Sequence, residues 1–243
     1  MDGPDDSDDV PQLPADTLRL LDEFATEKNT AAQKFKDLKL QSEGDFAGRL
    51  SMEVFSEDWG QVLGRNFWYT DETAHVLAEQ LLRDSSTTTC IAVVSAPSVF
   101  IAIRNILHDE SSRARPTVKL LEYDRRFKFV YYDLEHPLQL PAELKNKFDR
   151  IICDPPFLSD DCQTKTALTV RYLAKSWAAD DGTSDGLRFI SCTGERVGEI
   201  IARLYGKIGV KTTTFEPAHG KGLSNEFRCY ANFECAAWTW RGA

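Results

Sequence analysis

From residue 90 onward the chain alternates between short apolar runs and longer stretches with helical spacing. Residues 90–96 (CIAVVSA), 117–124 (TVKLLEYD), 127–134 (FKFVYYDL), 148–154 (FDRIICD) and 186–194 (GLRFISCTG) are β-rich and short enough for strands. A helix is predicted after the first of these, with Pro97 near its start, where a missing N–H costs nothing. Another runs from about Ser159 to Trp177, with Val170, Leu173, Ala174 and Trp177 on one face, and a third covers residues 195–206. Thr70 is the N-cap candidate for a further helix, with Asp71 and Glu72 in its first turn. Residues 209–216 and 227–234 are β-rich with no helix between them. This alternation predicts an α/β fold: a doubly wound, mostly parallel sheet of seven strands, helices on both faces and an antiparallel edge. A ligand is then expected outside the carboxyl ends of the strands.

The preceding stretch has a different character. Five aspartates fall among the first nine residues, followed by prolines at 11 and 14, so residues 1–13 are expected to be a disordered acidic tail. Leu18, Leu21, Ala25, Ala32, Phe35 and Leu38 space out a helix over 15–40. Glycines at 44, 48, 60 and 64 mark an irregular lead-in. Residues 14–66 therefore read as an N-terminal helical extension, and 67–243 as the main domain.

Charge narrows the partners. The 38 acidic and 29 basic residues of the 243 give a formal net charge of −9, which suits a basic partner better than a nucleic-acid backbone. No apolar run approaches the length of a membrane span, and the acidic start fits neither a secretory nor a transit peptide. Six cysteines without a CxxC pair argue for reduced thiols in a cytoplasmic or nuclear protein and against a Cys-based zinc site. The four histidines show no metal spacing, so no metal is expected.

The sharpest chemical signal is Asp154-Pro155-Pro156-Phe157, directly after the apolar Ile151-Ile152-Cys153. A carboxylate at the carboxyl end of a buried strand faces the crevice where such folds bind ligands. Two prolines fix the backbone and cannot donate, so their carbonyls and the aspartate form a rim of acceptors beside an aromatic ring. That rim suits a nitrogen bearing hydrogens. Glu122 and Asp124 end the second strand candidate, where an acidic residue can accept from ribose hydroxyls, and Asp133 ends the third, where it could accept from an adenine amino group. The turn after the first strand, Ser95-Ala96-Pro97, has no glycine, which disfavours a pyrophosphate-bearing dinucleotide. Its small side chains still permit close approach, and the following helix could receive a carboxylate at its N-terminus.

The Asp-Pro-Pro-Phe turn resembles the Asp/Asn-Pro-Pro-aromatic motif of amino-methyltransferases that use S-adenosylmethionine. With FWYTDETA (67–74), VSAPSVF (94–100), EYDRRF (122–127), DPPFLSDDC (154–162), KTALTVRYL (165–173), CTG (192–194) and NEFRCYANF (225–233), the chain is similar to a specific family. That family was first described as N6-adenine-specific DNA methyltransferases and is now understood as lysine methyltransferases of translation elongation factor 1-alpha. The resemblance implies a Rossmann-like seven-strand methyltransferase fold, S-adenosylmethionine as donor and a lysine ε-amine as acceptor. Many members carry tyrosine where Phe157 stands here, so the ring face persists without the hydroxyl.

On this reading Asp154, Pro155, Pro156 and Phe157 are the catalytic candidates. Ser95, Ala96, Pro97, Glu122, Asp124, Asp133, Trp68 and Tyr69 are the cofactor candidates, and Phe67, Asn225, Glu226 and Phe227 those for substrate. His219 and Lys221 read equally well as solvated. A lysine with its usual pKa near 10.4 is neutral in roughly one molecule in 2,500 at pH 7, so the site must release a proton as well as aim a lone pair. An aspartate of ordinary pKa is a poor base, which leaves Asp154 an orienting and electrostatic role. A cytoplasmic monomer acting on elongation factor 1-alpha is expected. The alternative acceptor is an adenine amino group in DNA or RNA.

Overall fold

The computed structural model describes residues 68–123, 130–179, 186–220 and 226–242. The acidic tail, the helix expected over 15–40, the lead-in, and Phe67, Asp124, Lys221 and Asn225 lie outside the described residues. In chain order the elements are α1 (Asp71–Leu82), β1 (Cys90–Val94), α2 (Pro97–Asp109), β2 (Thr117–Glu122), β3 (Val130–Tyr131) and β4 (Arg150–Cys153). They continue with α3 (Asp160–Leu173), β5 (Arg188–Gly194), α4 (Gly198–Tyr205), β6 (Lys211–Thr212) and β7 (Phe227–Ala231).

The strands form one seven-stranded sheet in the order β3-β2-β1-β4-β5-β7-β6. β1 to β5 pair in parallel, and β7 runs antiparallel to both β5 and β6. The doubly wound, mostly parallel sheet with an antiparallel edge is therefore present. β1 pairs with β2 on one side and β4 on the other, so the winding reverses there, the switch point beyond whose carboxyl ends such folds form their ligand crevice.

The period of two explains why both faces are covered. Ile91 and Val93 of β1, Ile152 of β4 and Ile190 of β5 join a core layer with Leu77 and Leu81 of α1 and Val99 and Ile103 of α2. Their neighbours Ala92, Val94, Ile151 and Phe189 face the other way, onto Val170 and Leu173 of α3 and Ile201 and Tyr205 of α4. Two strand-leading arginines tie the layers together. Arg150 donates to Leu81 O (2.8 Å), Arg83 O and Asp84 O (3.1 Å), and Arg188 Nε to Gln80 O (3.1 Å). These cations meet the orphan carbonyls and negative end of α1.

Element ends differ from the sequence expectation. The third strand, expected over 127–134, is described only at Val130–Tyr131, and the sixth, expected to reach 216, stops at Thr212. Thr213 leaves β6 because it bridges Trp240 while its N–H and hydroxyl both donate to Cys229 O at 2.9 Å. α3 ends at Leu173 rather than continuing to Trp177, because Ala174 and Lys175 turn to pair with Phe148. Trp177 instead lies against Tyr205, with the Arg171 guanidinium 4.5 Å from its ring centre. The helix expected over 195–206 opens with a 3-10 turn, Glu195–Val197, before α4.

β7 ends in a side-chain substitute for backbone pairing. Asn232, buried, accepts from Phe189 N (2.8 Å) and donates to Leu187 O (2.6 Å). Asn232→Leu would strand both buried backbone groups, and we expect a loss of about 2–4 kcal/mol. Urea unfolding followed by circular dichroism would show this as a lower midpoint with an unchanged slope.

Candidate active site

The Asp154–Phe157 turn leaves the sheet at the crevice. Asp154 N donates to Val94 O (3.0 Å), so the β1–β4 pairing extends one residue past β4 and fixes where the aspartate emerges. Pro155 is buried, whereas Pro156 and Phe157 are exposed, the Phe157 ring at 64%. Asp154 is partly buried as a residue, and its carboxyl lies among protein groups. Burial pushes its pKa up to about 7; a nearby Tyr69 hydroxyl opposes the rise and the Glu122 charge adds to it. The weak basicity expected of an ordinary aspartate therefore does not apply here.

Tyr69 reaches this position because the chain is pinned on both sides of it. Thr70 caps α1, its hydroxyl accepting from Thr73 N (3.2 Å). Thr70 N donates to Ala218 O and Gly220 N to Trp68 O, both at 2.9 Å, joining this strand-like entry to the loop between β6 and β7. The Tyr69 hydroxyl is buried beside Asp154 and the Cys192 thiol, but outside hydrogen-bond geometry to either.

His219 lies 4.9 Å from the Tyr69 ring and 4.5 Å from that of Phe227, centre to centre. Burial pulls its pKa down to about 4, so this three-ring wall is neutral near pH 7. Trp68 is partly buried and packs on the core. The sequence placed Trp68 and Tyr69 together as a cofactor or channel cover; here the second alone meets Asp154.

On the other side of the crevice, Ser95 turns the chain with φ at 54°, a left-handed conformation usually given to glycine. Its N–H donates to Leu121 O (2.9 Å). Ala96 is buried and supplies no side-chain cap, Pro97 opens α2, and no acidic residue occupies the first turn. Glu122 ends β2, one residue before Tyr123, which is 63% exposed and lies 5.7 Å from the Tyr131 ring. Asp133 lies two residues beyond β3. Its oxygens already accept from Glu135 N and face His136 Nδ1, both at 3.0 Å, and these contacts hold its pKa down.

The β5–β7 edge brings further charge to the same end of the sheet. Arg228, largely buried, meets Glu216 (2.9 Å), Glu195 (3.3 Å) and Glu226 (3.5 Å). Glu226, expected to touch substrate, thus already engages a cation, and its pKa is raised mainly by the Glu195 carboxyl beside it. Phe227 starts β7 and closes the ring wall.

Sequence reasoning left His219 undecided and missed Gln163 altogether. Gln163 is buried on α3 and donates to Phe157 O (3.0 Å) and Thr193 Oγ1 (3.2 Å). Its one legible sign was spacing, since it stands seven residues before Val170 on the stripe that faces the core. Among the described residues no group of three or more His, Cys, Asp or Glu is arranged to hold a metal.

A doubly wound sheet with an Asp-Pro-Pro-aromatic turn at its switch point defines a Rossmann-like methyltransferase. Residues 61–235 match the family model described as "Probable N6-adenine methyltransferase". The chain is 41% identical over 243 residues to protein-lysine N-methyltransferase EFM5 of Saccharomyces cerevisiae, covering 93% of each chain. It is 39% identical over 235 residues to EEF1A lysine methyltransferase 1 of Gallus gallus, covering 94% of this chain and 97% of that one. To the Homo sapiens protein of the same name it is 34% identical over 235 residues, covering 94% and 95%. The chain belongs to this methyltransferase family.

The raised pKa of Asp154 has a stability consequence. Between the ordinary value of 3.8 and about 7 the folded state holds a proton that the unfolded chain has lost, so stability falls as pH rises through that window. The loss is of the order of 2–4 kcal/mol, the upper figure from 1.36 kcal/mol per unit and the lower allowing for partial solvent access. Asp154→Asn, which mimics the neutral acid, is expected to be more stable than the parent at pH 8 and nearly equal at pH 4. Thermal unfolding of both proteins across pH 4–8 would check this; a constant difference would refute it.

Proposed function

We propose that this chain transfers a methyl group from S-adenosylmethionine to the ε-amine of a lysine in translation elongation factor 1-alpha, in the cytoplasm. The observation that carries the reading is a buried carboxyl of raised pKa at the end of β4, inside an Asp-Pro-Pro-aromatic turn. The close relatives named as lysine methyltransferases support the same acceptor.

The residues beyond β1 and β2 fit the donor. The uncapped N-terminus of α2 suits its carboxylate, Glu122 suits ribose hydroxyls, and the exposed Tyr123 and Tyr131 rings suit a flat heterocycle. Asp133 offers less than its position promised, because both oxygens already serve the local turn. When bound, the donor supplies a methyl carbon already activated by its sulfonium. The chain has then to hold the amine, take its proton and aim the nitrogen.

Asp154 does the first two. An ordinary aspartate lies roughly 6.5 units below lysine in pKa; at about 7, Asp154 narrows the gap to roughly 3.5, or about 5 kcal/mol. Desolvating the ammonium in the crevice closes it further. The Pro155 carbonyl orients one of the two remaining N–H groups, and the Phe157 ring covers the lysine stem. With the donor bound, its methyl would pass to the nitrogen once the ammonium has given one proton to Asp154. The carboxylates of Glu195, Glu216 and Glu226 outnumber Arg228 and Arg241 around them, and the whole chain carries −9, a field that draws a basic protein segment.

The family description favours a second acceptor, an adenine amino group, and one assay separates the two. Radiolabelled methyl transfer is expected into purified elongation factor 1-alpha and not into DNA or RNA. Asp154→Ala should lower kcat at least about 100-fold with the fold intact. Undiminished transfer by that variant would remove Asp154 from the mechanism. For the parent protein, kcat/KM should rise tenfold per unit up to pH about 7 and level off, since the reacting pair is a carboxylate with an ammonium. In Asp154→Asn the inflection near 7 should be absent.

A further inference from the structure

We infer that Gln163 is a positioning residue for methyl transfer: its side-chain amide locks the exit of the Asp154–Phe157 turn to β5 and so fixes the Phe157 ring. The inference rests on the reading that this turn grips the acceptor nitrogen.

The geometry is specific. Gln163 is almost fully buried, and its amide nitrogen bridges Phe157 O at 3.0 Å and Thr193 Oγ1 at 3.2 Å. A carbonyl can only accept, so the amide must present its nitrogen to Phe157 and its orientation is settled by chemistry. Thr193 is itself fully buried in β5, paired with Arg228 of β7, and cannot shift without moving the sheet. Gln163 is held equally firmly, since α3 is capped by Ser159, whose hydroxyl accepts from Cys162 N at 3.2 Å.

A second contact works on the same short segment. A Cβ on Gly194 would come within 2.8 Å of Leu158, so the residue after Phe157 lies directly on the bare backbone that follows Thr193. Amide and leucine together fasten positions 157 and 158 to the end of β5. Phe157 is itself largely exposed, so the backbone at its carbonyl is where the described structure fastens it. Two prolines stiffen the start of the turn; Gln163 stiffens its end. A nucleophile and a methyl carbon must meet in line, and a displacement of about 1 Å can cost about 100-fold in rate.

The test is a double-mutant cycle on the full chain, with purified elongation factor 1-alpha as acceptor. Gln163→Met keeps volume and loses both hydrogen bonds. It is expected to lower kcat about 10- to 100-fold, with S-adenosylmethionine affinity by calorimetry unchanged. In a Phe157→Ala background the same change should cost less than about threefold, because the ring it positions has gone. Equal losses in both backgrounds would overturn the inference by showing a merely structural role.

Thr193→Val leaves Gln163 in place and removes its anchor, and should lower kcat about three- to tenfold. Should Gln163→Met fail to fold, this variant decides alone, and unchanged kcat in it overturns the proposal. If Phe157→Ala lowers kcat and neither Gln163→Met nor Thr193→Val does, only the positioning role falls. If Phe157→Ala is also without effect, the reading of the turn falls with it.

Discussion

A carboxyl group kept where water is scarce governs this molecule. Asp154 is delivered by a strand flanked on both sides by parallel neighbours, and its own N–H is tied to Val94 O. Its backbone is thereby held at the end of the sheet. Desolvation then sets its basicity, and Glu122 across the crevice adds repulsion. The sheet order matters because it puts both acids at one switch point, where a donor held by β1 and β2 would meet an acceptor held by β4.

The surroundings preserve that condition. Tyr69, His219 and Phe227 form a wall with no net charge near neutrality, so these rings supply no cation to hold Asp154 ionised. The cationic Arg228 is matched by three glutamates instead. A buried acid and a tyrosine hydroxyl outside hydrogen-bond geometry both work against folding. Their presence together at one sheet edge is what a reactive centre, rather than an optimised core, looks like.

Most of the fold was legible because the central strands are buried on both faces and read as unbroken apolar runs. The edges were not, because neighbours decide where edge strands stop. Thr213 looks like any strand residue until Cys229 and Trp240 claim it. Trp177 continues a helical stripe in sequence, yet the chain turns at Ala174 to meet Phe148. At the site, Asp154 was legible since a motif marks the end of its strand, and its unusual acidity was not, since burial is a property of the folded crevice. His219 was undecidable for a related reason. The entry at Trp68–Thr70 that hems it in lies far away in sequence. Gln163 reads as a solvated polar residue unless the buried stripe of α3 is extended upward by two turns.

That long-range closure has a consequence for biogenesis. The Thr73 hydroxyl that accepts from Ala218 N spans 145 positions, and the Tyr69–His219 bridge lies beside it. A nascent chain that has emerged only through its fifth strand owns the aspartate turn but neither the imidazole nor the final strand that shapes the pocket. Loops of such length are slow to close and are among the last contacts to form. The wall around the aspartate is therefore complete only once the segment between β6 and β7 has docked on the entry to α1.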